Sequence, residues 1–137
     1  MGSSSYHHGV SNLHIPLNDK LFSIQCEIIR DLAKEEEGAI IVGRCADYVL
    51  ENDPRLVRVF ICGNFEKRVS SIMQQHSLTE GQAKDLVIKT DKRRANYYSY
   101  YTGGKWAKIE NYDLIVSTDK TGIDATAALI KGYVEML

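Results

Sequence analysis

The stretch Ala39-Ile40-Ile41-Val42-Gly43-Arg44-Cys45-Ala46-Asp47 runs from apolar to polar across a single glycine. Ala39 to Val42 is short, β-branched and bounded by Gly38 and Gly43, which predicts a strand buried on both faces. Upstream, Pro16, Asn18 and Asp19 supply a helix start, and the spacing predicts a helix over 19–36. Its apolar positions Leu21, Ile24, Ile28 and Leu32 recur at three and four, giving one buried stripe, with Glu35 to Glu37 as a solvated end.

Downstream, a second helix is expected over 45–51, ended before Pro54, and Val57 to Cys62 reads as a second strand closed by Gly63 and the helix cap Asn64. Phe65, Val69, Ile72 and Met73 give the next helix its apolar face. Thr79-Glu80-Gly81-Gln82 has capping-box spacing, so a further helix starts there and runs through Ala83, Leu86 and Val87 into a basic segment. Asp113 to Ser117 makes a third strand, and Thr121 caps a last helix whose Ile123, Ala127, Ile130 and Val134 face inward. Strands alternating with helices over such connections imply parallel βα units and an α/β layered domain.

The 137 residues make one ordinary domain, and 44% hydrophobic residues suffice for a core. No apolar run reaches the ~18 residues of a membrane span, and the polar opening is unlike a signal sequence, so a cytoplasmic location is expected. Cys26, Cys45 and Cys62 are far apart and form no Cys-x-x-Cys pair, which suggests reduced thiols and no zinc site. Residues 1–18 read as a native, disordered lead-in to a folded domain over 19–137.

A net charge of −1 argues against a nucleic-acid-binding surface. Its distribution is uneven: Lys89, Lys92, Arg93, Arg94, Lys105 and Lys108 face the single acid Asp91, a local charge of about +5.

Ligands of open parallel sheets sit beyond the carboxyl ends of the strands. After the first predicted strand, Gly43 permits close backbone approach and Arg44 offers a planar fork for a phosphate; the competing reading is a surface arginine paired with Asp47. On the basic helix, Asp91 and Arg94 share a face, so the carboxylate orients the guanidinium while Lys92 and Arg93 stay available to phosphate oxygens. The competing reading there is a solvated helix ending in an aromatic cluster of Tyr97, Tyr98, Tyr100, Tyr101 and Trp106. At Ser117-Thr118-Asp119-Lys120-Thr121, exposed helix-start amides with Thr118 and Lys120 suit a nucleotide base or phosphate, against the plainer reading of a capped turn.

Taken together, Ile40 to Leu50, Thr90-Asp91-Lys92-Arg93-Arg94-Ala95-Asn96-Tyr97-Tyr98, Tyr100-Tyr101-Thr102-Gly103, Trp106 and Asn111-Tyr112-Asp113-Leu114 resemble the bacterial cytidylate-kinase-like family. The resemblance spans roughly 19–136 with the motifs in order. It implies a P-loop nucleoside monophosphate kinase that transfers the γ-phosphate of ATP, with Mg2+, to CMP or dCMP. It further implies that Arg44 binds the acceptor phosphate and that Asp91 and Arg94 act in a lid over about 89–108; beside them, Asp47, Lys92 and Arg93 are the candidate substrate-binding residues and Thr118 and Lys120 the candidate cofactor-binding residues.

The chain departs from the family at two places. Cys45 stands where well-characterised cytidylate kinases carry an aspartate, which leaves base preference open. No Gly-x-x-x-x-Gly-Lys-Ser/Thr occurs, and Gly103-Gly104-Lys105 follows a helix without the first glycine. The resemblance implies a three-layer sheet in order 2-3-1-4-5 in which the P-loop strand and its neighbour are missing. Ala39 to Val42 and Val57 to Cys62 would flank the vacant place. The expectation is thus an acceptor-site and lid portion, inactive alone and completed by another chain or by self-association; the alternative is a non-catalytic nucleotide- or partner-binding remnant.

Overall fold

Val59–Cys62 (β1) and Leu114–Ser117 (β2) pair as parallel strands, with Val59 opposite Leu114 and Cys62 opposite Ser117. Asp113 locks the start of this ladder: its carboxylate accepts from the Arg58 amide at 2.6 Å, and its own amide donates to the Arg58 carbonyl at 2.9 Å. These elements belong to a computed structural model that describes residues 16–137. The lead-in expected over residues 1–18 lies almost wholly outside the described residues.

The chain divides into two units, Met1–Ile40 and Ile41–Leu137. The first contains helix α1, Leu17–Leu32, which follows Pro16 and has Asp19 in its first turn, where a carboxylate favours the helix dipole. It ends four residues before the expected 36, because Glu35, Glu36 and Glu37 would place three negative charges at the negative end of the dipole. The expected buried stripe is corrected as well. Cys26 and Ile29 are buried, whereas Leu21, Ile24, Ile28 and Leu32 are 43–53% exposed. The helical period fixes an apolar stripe, but a stripe is buried only where another element covers it.

In the second unit the order is α2 (Ala46–Val49), β1, α3 (Phe65–His76), α4 (Glu80–Thr102), a 3-10 turn (Ile109–Asn111), β2 and α5 (Thr118–Val134). The Asn64 side chain caps α3 by accepting from the Glu66 amide at 2.9 Å. The capping box at α4 forms as its spacing predicts, with Thr79 Oγ1 accepting from the Gln82 amide and Gln82 Oε1 accepting from the Thr79 amide. Val69, Ala83 and Val87 form the buried cluster between α3 and α4, flanked by Ile72, Met73 and Leu78. Packing of this kind is what turns two amphipathic helices into a rigid pair.

The strand expected at Ala39 to Val42 does not form. Those residues carry no ladder, Ile40 is 98% exposed and Val42 86% exposed, and the described sheet has two strands rather than three. A strand needs partners for its amides and carbonyls, and the described sheet pairs β1 with β2 alone.

The last helix also differs from expectation. It begins at Thr118 under a Ser117 cap, and Gly122 interrupts it with φ 75° and ψ −178°. Thr121 faces the buried Thr126 hydroxyl at 2.9 Å instead of capping a helix. Ile123 (80% exposed), Ala127 and Val134 lie outward and Ile130 is half-buried, since a sheet of two strands offers too narrow a face to cover four helical positions. Among the described residues no helix is long and apolar enough to cross a membrane.

Candidate functional site

Because β1 and β2 are parallel, their carboxyl ends at Cys62 and Ser117 open on the same side of the sheet. The turn after β1 and the turn after β2 meet there. A Cβ on Gly63 would lie 3.4 Å from Asp119 Oδ1, 3.5 Å from Arg68 Cγ and 3.6 Å from Thr118 Oγ1. The Asn64 amide donates to the Asp119 carboxylate at 2.9 and 3.0 Å, and Lys67 Nζ donates to the Asp119 carbonyl at 2.6 Å. Ser117 Oγ accepts from the Asp119 amide at 3.3 Å. This is the geometry of a capped turn tied to its neighbour, with Thr118 half-buried and Lys120 exposed beside it.

The loop after the apolar run has a demanding backbone. Gly43, Arg44 and Cys45 follow one another at φ 69°, 58° and 55°. Left-handed geometry at a residue with a Cβ costs roughly 1–2 kcal/mol, so Arg44 and Cys45 persist there only because their surroundings hold them. Two tyrosines of α4 do so. The Arg44 guanidinium lies 5.0 Å from the Tyr97 ring centroid, and the Tyr98 hydroxyl donates to Asp47 Oδ2 at 2.8 Å. Cys45 and Ala46 are buried between these contacts in sequence, which anchors the loop further. Among the described residues Arg44 forms no ion pair with Asp47, so the plain surface-pair reading of Arg44 does not describe this loop.

Burial and the nearby Asp47 carboxylate both disfavour a negative phenolate at Tyr98 and push its hydroxyl well above the ordinary tyrosine range. Burial, then Asp47, raises Tyr112 in the same direction. Both tyrosines therefore stay neutral at physiological pH, and Tyr98 remains a donor to Asp47.

About two turns earlier in α4, Asp91 accepts from two arginines. Arg68 Nη2 reaches both carboxylate oxygens, at 2.7 Å to Oδ1 and 2.8 Å to Oδ2, and Arg94 pairs with Oδ1 from the next turn of the same helix. Partial burial raises the Asp91 carboxyl, but the hydrogen bonds from Arg68 and Arg94 outweigh it and hold the group below the ordinary aspartate value. Arg94 also lies over Trp106, 5.1 Å from the ring centroid, and Trp106 meets Phe60 of β1 edge-on at 5.8 Å. Phe60 in turn stacks near Tyr112 at 4.9 Å.

The candidate residues thus gather on α4. It carries Asp91, Lys92, Arg93 and Arg94 and grips Arg44 and Asp47 through Tyr97 and Tyr98. Lys92 and Arg93 are exposed and make no ion pair among the described residues. Arg68 was not singled out by sequence. It follows the Asn64 cap in the first turn after β1, a position that the carboxyl-end rule marks for inspection, but the mixed Glu66-Lys67-Arg68 run reads as an ordinary solvated turn.

Clustered cations around one carboxylate suit a polyphosphate or phosphomonoester. Among the described residues no three His, Cys, Asp or Glu side chains gather to hold a metal.

Residues 1–120 match the family described as the cytidylate kinase-like family. The chain is 24% identical over 108 residues to a cytidylate kinase of Methanocorpusculum labreanum, an alignment covering 79% of this chain and 60% of that protein. It therefore spans about 60% of the length of that relative. Its fold is similar to the crystal structure of an uncharacterized protein from Eubacterium ventriosum, with a TM-score of 0.81 and 30% identity over 90% of this chain and 69% of the other.

Proposed function

The chain belongs to the cytidylate kinase-like family, and from that premise we propose that its residues form the acceptor-site and lid portion of a cytoplasmic kinase. The reaction is transfer of the ATP γ-phosphate to CMP or dCMP. The observation that supports this reading is the double role of α4, which presents Arg94 in a clasp with Asp91 and, one turn later, holds Arg44 and Asp47 in the strained loop. A single helix then sets the separation between an acceptor-phosphate cation and a transfer-stage cation. Phosphoryl transfer depends mainly on such positioning and on neutralising charge.

In this reading Arg44 binds the acceptor phosphate, with Asp47 orienting the loop beside it. Arg94 stabilises charge on the transferring group while Asp91 orients it, and Lys92 and Arg93 add positive potential. Thr118 and Lys120 face the ATP side. The segment over about 89–108 is the lid of a domain running over 19–137. The sheet is of the three-layer P-loop type, with the P-loop strand and its neighbour supplied by polypeptide outside these residues or by self-association. Binding of ATP and Mg2+ depends on that cradle.

The exposure of Ile40 and Val42 specifically favours a second reading, in which the chain is a partner-binding remnant without catalysis. Calorimetry and coupled turnover separate the two. The first reading expects CMP binding, no turnover by the chain alone, and turnover once a glycine-rich phosphate-binding segment is supplied. With that segment present, Arg44→Ala raises KM for the acceptor and Arg94→Ala lowers kcat, each by about tenfold or more. Absence of CMP binding together with absence of turnover in the completed protein leaves the remnant reading standing.

A further inference from the structure

Arg94 is a long side chain, 51% exposed, whose partner within its own helix lies three residues away at Asp91. Pairs of that kind on a helix surface are weak and leave the guanidinium mobile. Here the carboxylate is fixed by something else. Arg68 comes from α3, twenty-three residues earlier, and spans both Asp91 oxygens. The two side chains in that contact are only 35% and 30% exposed, less than Arg94 itself.

Arg68 is in turn well anchored. It lies in the first turn of α3, whose cap Asn64 is bound through its amide to Asp119, and its stem lies against the Gly63 position at the end of β1. A second route reaches Arg94 from the same strand, because Trp106 under its guanidinium packs on Phe60. Arg94 is thus held between two supports that both trace back to β1. Two guanidiniums share one carboxylate, so the cluster keeps a net positive charge for an anion.

We infer that Arg68 is a positioning residue for the anion site of α4: by fixing Asp91 it presents Arg94 over Trp106. This deepens the proposed function and rests on its reading of Arg94 as a phosphate-binding group. Arg68 itself has no need to touch the ligand. A lysine at this position cannot replace it fully: both contacts come from Nη2 at the far end of a rigid planar guanidinium, and an ammonium on a shorter, freely rotating stem neither reaches as far nor fixes that direction.

The test uses the purified chain with inorganic tripolyphosphate as probe and needs no turnover. Trp106 is the one tryptophan of the sequence, so its fluorescence reports the guanidinium above it. Without ligand, Arg68→Ala is expected to shift Trp106 emission toward that of Arg94→Ala. With ligand, Arg68→Ala weakens tripolyphosphate binding by about tenfold, Arg68→Lys restores only part of it, and the double variant binds no more weakly than Arg94→Ala alone.

Additive losses in the double variant, or full recovery with lysine, would overturn the inference by showing that Arg68 acts as a separate cation. An Arg94→Ala variant that binds tripolyphosphate normally would instead overturn the phosphate reading of α4, and the inference with it. Circular dichroism guards against unfolding. If Arg68→Ala unfolds, the same comparison with Arg68→Gln decides, and normal Trp106 emission in that folded variant counts against positioning.

Discussion

The Tyr98 hydroxyl donates to Asp47 Oδ2 at 2.8 Å, joining residues fifty-one positions apart and fastening the loop after Gly43 to α4. Tyr97 makes the neighbouring contact with Arg44, so adjacent residues of one helix hold both ends of the loop's polar surface. The left-handed backbone of Arg44 and Cys45 depends on these supports.

Tyr98→Phe therefore removes a bond to a half-buried carboxylate while leaving the ring in place. Stability should fall by about 1–2 kcal/mol, toward the low end for hydrogen bonds to charged groups because Asp47 keeps access to water. Urea unfolding measures this. Asp47→Asn combined with Tyr98→Phe should cost clearly less than the sum of the two single changes, and strict additivity would show that the bond carries no coupling.

The same chemical change should have opposite signs at two glycines. Nothing lies within 4 Å of a Cβ added at Gly43 or at Gly132, so space decides neither case. Gly43 has φ 69°, and Gly43→Ala should destabilise by about 1 kcal/mol through backbone strain alone. Gly132 lies inside α5 without positive φ, and Gly132→Ala should stabilise by about 0.5–1 kcal/mol. Thermal melts of the two variants that shift the same way would contradict the assignment of Gly43 to a left-handed turn.

Acid should act through Asp91. Its carboxyl is held below the ordinary aspartate value in the fold, so its contribution is present above the unfolded value and is lost as pH falls through the folded one. The window opens near about pH 4 and extends downward. Asp91→Asn should lower stability at pH 7 and flatten the decline below pH 4. Parallel stability curves for wild type and Asp91→Asn across that range would show that the clasp contributes nothing.

Only one edge of β1 is paired in the described sheet, since β2 lies at the end of the order β1-β2. An apolar parallel strand with a bare edge takes up a further strand or remains wet. Hydrogen exchange should show incomplete protection across Val59–Cys62 and none across residues 39–42, and sedimentation should show concentration-dependent association. A monomer with strong protection in both stretches would be incompatible with an open edge.

The sequence by itself determined what depends on neighbours in the chain. Helix caps at Asn64 and Thr79, the α/β alternation, the positive character of α4 and the family motifs were all legible, because capping, periodicity and charge act within a few residues. Tertiary structure decided the rest. Ile40 and Val42 have the composition of a buried strand, yet strand formation requires partners for the backbone, and the described residues supply none. The stripe on α1 was legible as apolar but not as exposed, for the same reason. The meeting of Arg68 with Asp91, and of Tyr98 with Asp47, joins residues far apart in sequence. No local rule ranks one arginine or tyrosine above its neighbours; the packing of α3 on α4 and the docking of the Gly43 loop select the pairs.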